Sequence, residues 1–292
     1  MTGRPLTIIG ERINPGFRSS KDLFENSDLP GIQRLAVRQA EAGASYLNVN
    51  IGTRALEDTA FMREVVGAIQ EAVDLPLSFD FPNLAVQVSC LEAFDPHKAR
   101  NRKPIINSVA ETRWSMTDAL SIRPAKVILM VSERLDGDAA VPNTTALEVW
   151  DVARRLVRRL VDERGIAMDD IIIDVSISML ATDRGGGTRM ALDAVKLIGG
   201  DPALAGIHIM GGISNIGMGL PPKAVDGTAL KNGVERAFIT LARPLGLDTI
   251  LATPWENYEP LPEDSVVLAT FRDVIAARGM DALKAVRRLY RA

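Results

Sequence analysis

Ile171-Ile172-Ile173-Asp174 is three β-branched apolar residues closed by an acid. A run so short and apolar on every residue fits a strand covered on both faces, as in a parallel sheet. Before it, residues 145–164 open on Thr145 and Glu148, the spacing of a capping box. Val149, Val152, Ala153, Leu156, Val157, Leu160 and Val161 then make one apolar stripe, and Gly165 ends it. Outward from this strand the same figure recurs. Further short runs lie at residues 6–9, 46–49, 77–80, 104–107, 126–131, 206–210 and 249–252, so the total is eight. Helical spacing fills the intervals at 31–41, 61–73, 84–93, 115–120, 188–198, 229–243 and 262–278, and a last helix over 282–292 is expected to pack outside. Eight βα units predict an α/β chain closed as a (β/α)8 TIM barrel, one domain over residues 1–292. A doubly wound open sheet is the other architecture with this alternation.

Bulk properties narrow the function. The chain has 292 residues, 47% hydrophobic and 24% charged, with a formal net charge of −3. No basic run is long enough to read as a nucleic-acid surface. Arg154, Arg155, Arg158 and Arg159 flank the apolar stripe, as a solvated face or as partners for acids. One cysteine, Cys90, allows no internal disulfide, and with only His97 and His208 to assist, a metal site is not expected. The opening lacks a signal peptide's apolar core, and no stretch approaches the roughly 18 apolar residues of a membrane span. A reducing cytoplasm is the expected location.

In such a barrel the site lies where strands end. The first run leads into Gly10-Glu11-Arg12-Ile13-Asn14, and the second ends in Asn48-Val49-Asn50. Asp80 closes the third, with Asn83 a turn later; Asn107-Ser108 closes the fourth, with Glu111 following. Asp174 closes the sixth, and the seventh runs into Gly211-Gly212-Ile213-Ser214-Asn215. His208 falls within a strand and Lys126 at a strand start, so nucleophilic triads, histidine–carboxylate metal sites and Schiff-base chemistry are poorly supported. Carboxylates and amides together suit a heterocycle with several donors and acceptors. Each has a plainer reading: Asp80 and Asp174 as helix caps, Asn107 and Asn215 as turn formers, Gly211-Gly212 as a phosphate cradle or only a bend.

These pieces, in order over about residues 7–255, resemble the pterin-binding barrels, specifically the methyltetrahydrofolate:corrinoid methyltransferases. They are Ile9-Gly10-Glu11-Arg12-Ile13-Asn14, Leu47-Asn48-Val49-Asn50-Ile51-Gly52, Phe79-Asp80 with Asn83, Ile106-Asn107-Ser108, Ile173-Asp174, Gly212-Ile213-Ser214-Asn215, Gly219-Leu220-Pro221 and Gly246-Leu247-Asp248. The resemblance implies that methyltetrahydrofolate or a related tetrahydropterin is substrate. Asp80, Asn107 and Asp174 would grip the pterin ring, with Glu11, Asn14, Asn50, Asn83, Gly212 and Ser214 around it. Asn215 would stand nearest N5, making Asn215 and Asp174 the catalytic pair. It further implies a corrinoid (cobalamin) carried by a partner protein, no metal held by this chain, and a homodimer. Three departures stand out: Asn48 where an aspartate is expected, Val175-Ser176 rather than proline after Asp174, and Val109-Ala110-Glu111 where a further asparagine is expected after Asn107-Ser108. The run Asp183-Arg184-Gly185-Gly186-Gly187 is expected to be flexible and able to close on substrate. Dihydropteroate synthase shares the pocket, but its Asn-x-Thr-x-Asp-Ser-Phe loop, Ser-Thr-Arg-Pro segment and late Lys and Arg-x-His pattern are missing. Thr53-Arg54 is only an echo of it. A non-catalytic pterin-binding module is the third reading.

Overall fold

A computed structural model describes residues 4–291. The expected domain span of 1–292 and the expected terminal helix to 292 include residues 1–3 and 292, which lie outside them. In chain order the strands are β1 (Thr7–Ile13), β2 (Tyr46–Val49), β3 (Leu77–Asp80), β4 (Ile105–Val109), β5 (Lys126–Met130), β6 (Glu133–Asp136), β7 (Ala139–Pro142), β8 (Ile171–Asp174), β9 (His208–Gly212) and β10 (Thr249–Ala252). Eight of them close a parallel barrel in the order β1-β10-β9-β8-β5-β4-β3-β2, and β6 and β7 form a separate antiparallel pair. The helices are α1 (Lys21–Glu25), α2 (Leu29–Glu41), α3 (Arg54–Glu57), α4 (Thr59–Ala72), α5 (Leu84–Ala93), α6 (Ala146–Arg164), α7 (Gly187–Gly199), α8 (Leu230–Ala242), α9 (Val266–Ala276) and α10 (Gly279–Arg288). The open-sheet alternative is excluded by closure of β1 on β10, in register from Thr7 with Thr249 to Gly10 with Ala252.

Strand alternation sorts the core into two shells. Ile171 and Ile173 face the helices, whereas Ile172 joins Ile9, Ile105, Ile128 and Met210 inside the barrel. Tyr46 and Leu251 pack against that inner group. Two residues further along each strand, the inward direction belongs to Glu11, Asn48, Asp80, Asn107, Met130, Asp174, Gly212 and Thr253. The polar strand ends are therefore the upper layer of the barrel's own interior.

The structure departs from expectation in four places. β1 runs on to Ile13 through a register shift between Gly10 and Ile13, so Glu11 and Arg12 are strand residues rather than loop. β9 starts at His208, because Gly206 takes a φ of 102° that no strand residue adopts; this puts His208 at the end opposite the site. Between β4 and β5 a kinked 3-10 segment, Glu111–Ser121, replaces the expected helix, with Arg113 at φ −134° and ψ 44°. The β6/β7 hairpin was not expected; only Asp136-Gly137 marks its turn, where Gly137 has φ 59°. Glu111 anchors that hairpin by accepting from the Leu135 N–H at 2.8 Å while pairing with Arg155. Arg154, Arg158 and Arg159 likewise meet acids of this chain: Asp201, Asp162 and Glu163. Among the described residues no helix is long and apolar enough to cross a membrane.

α6 begins as its spacing predicts. Thr145 Oγ1 accepts from the Glu148 N–H at 3.2 Å, and Glu148 accepts from the Thr145 N–H at 3.0 Å. Gly165 closes it at φ 62°. Thr145→Ala is expected to lower stability by about 1 kcal/mol, read from the midpoint of urea unfolding with an unchanged slope.

Candidate functional site

The upper interior layer is wired by amides. Asn107 Nδ2 donates to Asn48 Oδ1 at 3.2 Å, and Asn48 Nδ2 donates to Asp80 Oδ2 at 3.0 Å. Asn50 Nδ2 adds a bond to the Asp80 carbonyl at 3.1 Å and a longer one to Oδ2 at 3.4 Å, while its own Oδ1 accepts from the Gly52 N–H. Asn48, from the centre of β2, is 1% exposed and is the link between Asp80 and Asn107. An aspartate there could not donate to Asp80 and would set two carboxylates against each other. The chain of bonds leaves Asp80 Oδ1 and Asn107 Oδ1 as open acceptors among the described residues.

Asp174 closes the layer from β8. Its Oδ1 accepts from the Ser176 N–H at 2.8 Å, made possible by Ser176 at φ 54°. Burial pushes Asp174 up to about 6; the Ser176 bond opposes this and the negative charge of Asp80 adds to it. Asp80 is also raised, first by burial, against its bonds from Asn48 and Asn50. Neither aspartate caps a helix. Two desolvated carboxylates beside one another are poised to accept donors from a ligand.

Across the mouth, Glu11 is 4% exposed and ties three strand ends together. It accepts from Ser214 Oγ at 2.7 Å and from Thr253 Oγ1 at 2.8 Å. Burial raises its pKa, opposed by those two bonds and by the charges of Lys231 and Arg12. Ser214 and Asn215 sit on the 3-10 turn Ile213–Gly217 after β9. Asn215 is exposed, and its side chain makes no hydrogen bond among the described residues; it folds back so that Nδ2 lies 3.2 Å from where a Gly212 Cβ would stand. Gly212 is thus the clearance for Asn215. Gly211 has a different reason: a Cβ there would collide with Ile177 Cδ1. Both glycines belong to β9, so the pair is strand rather than a bend.

Other expected positions are engaged locally. Asn14 Oδ1 accepts from the Gly16 N–H at 2.8 Å, and Asn83 Oδ1 caps α5 by accepting from the Val86 N–H at 3.1 Å. Each keeps only its Nδ2 for a ligand. In the glycine run after Asp183, the segment expected to close on substrate, Asp183 accepts from the N–H groups of Gly186, Gly187 and Thr188 at 2.7–2.8 Å. The sequence does not single out Asn48, because its pattern marks only that a polar residue ends β2, not which of two asparagines lies at the hub.

Residues 11–251 match the family described as pterin binding enzyme. The chain belongs to that family. It is 27% identical over 260 residues to a methylcorrinoid:tetrahydrofolate methyltransferase of Eubacterium limosum, covering 85% of each protein. It is 23% identical to the methionine synthase of Mycobacterium tuberculosis over 92% of this chain, which spans only 24% of that much longer protein. Among solved structures it has the fold of the dihydropteroate synthases of Vibrio fischeri ES114 (TM-score 0.58, 14% identity, 93% and 94% covered) and Xanthomonas albilineans (0.56, 21%, 94% and 95%).

Because Asp174 titrates at about 6 in the folded chain against 3.8 ordinarily, its contribution to stability is full below pH 4 and is lost as pH rises through 6. Asp174→Asn is therefore expected to stabilise the ligand-free protein at pH 7 by about 2 kcal/mol and to match wild type near pH 4, measured by urea unfolding at the two pH values.

Proposed function

We propose that the chain moves the N5-methyl group between methyltetrahydrofolate, or a related tetrahydropterin, and the cobalt of a corrinoid carried by a partner protein. The observation that carries this reading is the inward layer of Asp80, Asn107 and Asp174, with acceptors left open among the described residues, together with an Asn215 amide, on the turn after β9, that has no partner among them. The name of the Eubacterium limosum relative supports the reaction. Asp80 and Asp174 accept the N–H donors of the amino-pyrimidinone edge, and Asn107 reads its mixed donors and acceptors. A ligand lacking that edge leaves these groups desolvated and unpaired.

Breaking the N5–methyl bond leaves its electron pair on N5, and a proton must reach N5 as the methyl departs. A neutral tertiary amine is otherwise a very poor leaving group. Asn215 can donate to the N5 lone pair through Nδ2 and accept from N5–H through Oδ1, so it stays bonded on both sides of proton uptake. Bonding that strengthens as N5 changes charge lowers the barrier rather than only binding substrate. Glu11 holds Ser214, and with it the turn that carries Asn215. The corrinoid supplies the cobalt that takes the methyl, or gives it in the reverse direction. Leu56, Leu135, Met179 and Met218, each 41–60% exposed and each on a segment after a strand's C-terminal end, offer the partner an apolar rim. Arg54, in the echo of the synthase segment, is occupied by Asp58, the Phe24 carbonyl and Ser27, so no observation favours the synthase.

Titration with methyltetrahydrofolate, followed by addition of a reduced corrinoid and its absorbance spectrum, tests the reading. Binding followed by methylcorrinoid formation is expected. Absence of binding would overturn the pterin site, and binding without transfer to any corrinoid would leave a binding module. Asn215→Ala is expected to slow transfer by about 100-fold while changing folate affinity by less than about threefold; equal losses in both would remove its transition-state role.

A further inference from the structure

A cavity of about 340 Å3 lies on the β1/β10 side of the mouth, lined by Arg12, Lys231, Glu235, Thr253, Trp255 and Glu256. It adjoins the upper layer through Thr253, whose hydroxyl is bonded to Glu11. Its most unusual wall is Glu235. This side chain, from the second turn of α8, is 3% exposed yet has neither a hydrogen bond nor an ion pair among the described residues. A buried acid without a partner is costly, and the cost persists only where something else uses the group.

The surroundings favour an anion. Arg12 lies 3.9 Å over the Phe17 ring and bonds Ser19, with no carboxylate paired to it among the described residues. Lys231 has no ion pair among them either; its stem packs on Gly217, where a Cβ would collide with Lys231 Cγ, so it stands directly behind the turn of Asn215. α8 starts on Ala229, which supplies no side-chain cap, and its first N–H groups leave a partial positive charge at this end. Glu256 is exposed, where solvent screens it.

Resting on the function proposed above, we propose that this cavity holds the anionic tail of the tetrahydropterin substrate, the glutamyl carboxylates of a folate. Arg12 and Lys231 meet the carboxylate charge, and Glu235 in its neutral form donates an O–H to it. Burial pushes Glu235 up to about 8, opposed by Lys231 on its own helix and reinforced by Glu11 from β1 and Glu256 after β10. Tyr258, on that last segment, faces the same group, and its hydroxyl stays protonated under the same charges. Below pH 8 the cavity therefore carries a donor where an ionised glutamate would repel the ligand. As pH rises through 8 the tail's contribution fades.

The test compares two ligands on the whole protein by calorimetric titration: 5-methyltetrahydrofolate and 5,6-dimethyltetrahydropterin, which has the same ring and no benzoylglutamate. At pH 7 the folate is expected to bind wild type about tenfold or more tightly. Lys231→Met and Arg12→Gln are each expected to bring that ratio towards one, with the tail-less ligand reporting that the ring site is intact. Glu235→Gln is expected to keep the ratio at pH 7 and abolish its decline above pH 8. Equal affinities of the two ligands for wild type, or a ratio unmoved in Lys231→Met, would overturn the tail site. Failure of both ligands to bind wild type would instead overturn the ring site beneath it.

Discussion

Alternation along a strand is the constraint on which the rest of this molecule depends. Once eight short strands close a barrel, every second residue must point inward, and the two residues that complete each strand are assigned before any loop is considered. The lower inward layer is filled by Ile9, Ile105, Ile128, Ile172 and Met210, a dry plug. Directly above it the inward positions become Glu11, Asn48, Asp80, Asn107, Asp174 and Thr253. Groups held on strands in this way are placed by the barrel's hydrogen-bonded register, such as Asp80 opposite Asn107, rather than by loops.

That placement sets an electrostatic problem. Asp80, Asp174 and Glu11 are all pushed up by burial, and Asp174 is pushed further by Asp80. The structure answers with neutral donors: two asparagines on Asp80, a backbone N–H on Asp174, and two hydroxyls on Glu11. Neutral donors steady a carboxylate without cancelling it, so its remaining oxygen keeps its appetite for a ligand's N–H groups. Among the described residues Asp80, Asp174 and Glu11 make no salt bridge, whereas the strand-start end carries several, as with Lys126 on Asp169 and Arg4 on Asp248.

All eight barrel strands were legible in the sequence, because a short apolar run bounded by helical spacing fits little besides a strand buried on both faces. Several bounds agree to the residue, as in Tyr46–Val49 and Thr249–Ala252. What could not be read depended on contacts remote in sequence. The extension of β1 through Glu11 comes from a register shift against β2, and the hairpin of β6 and β7 is held by Glu111, which local pattern ties to nothing. In the site, residue type at each strand end was readable, but allegiance was not. Nothing local distinguishes Asn83, whose oxygen caps a helix, from Asn215, whose amide has no partner among the described residues, and nothing local shows Asn48 as the hub rather than a departure.

The bonds of Glu11 span 203 residues to Ser214 and 242 to Thr253. As the chain is synthesised, Glu11 on β1 precedes by that distance the partners that follow the last two barrel strands. Until they arrive water supplies its donors, and the strand's β10 edge is unpaired. The seam that seals the barrel is therefore also the long-range contact that assembles this side of the mouth. Fragments ending before β10 would hold most of the inward aspartates and asparagines without ever having the pocket, so the acquisition of ligand binding marks completion of the whole barrel.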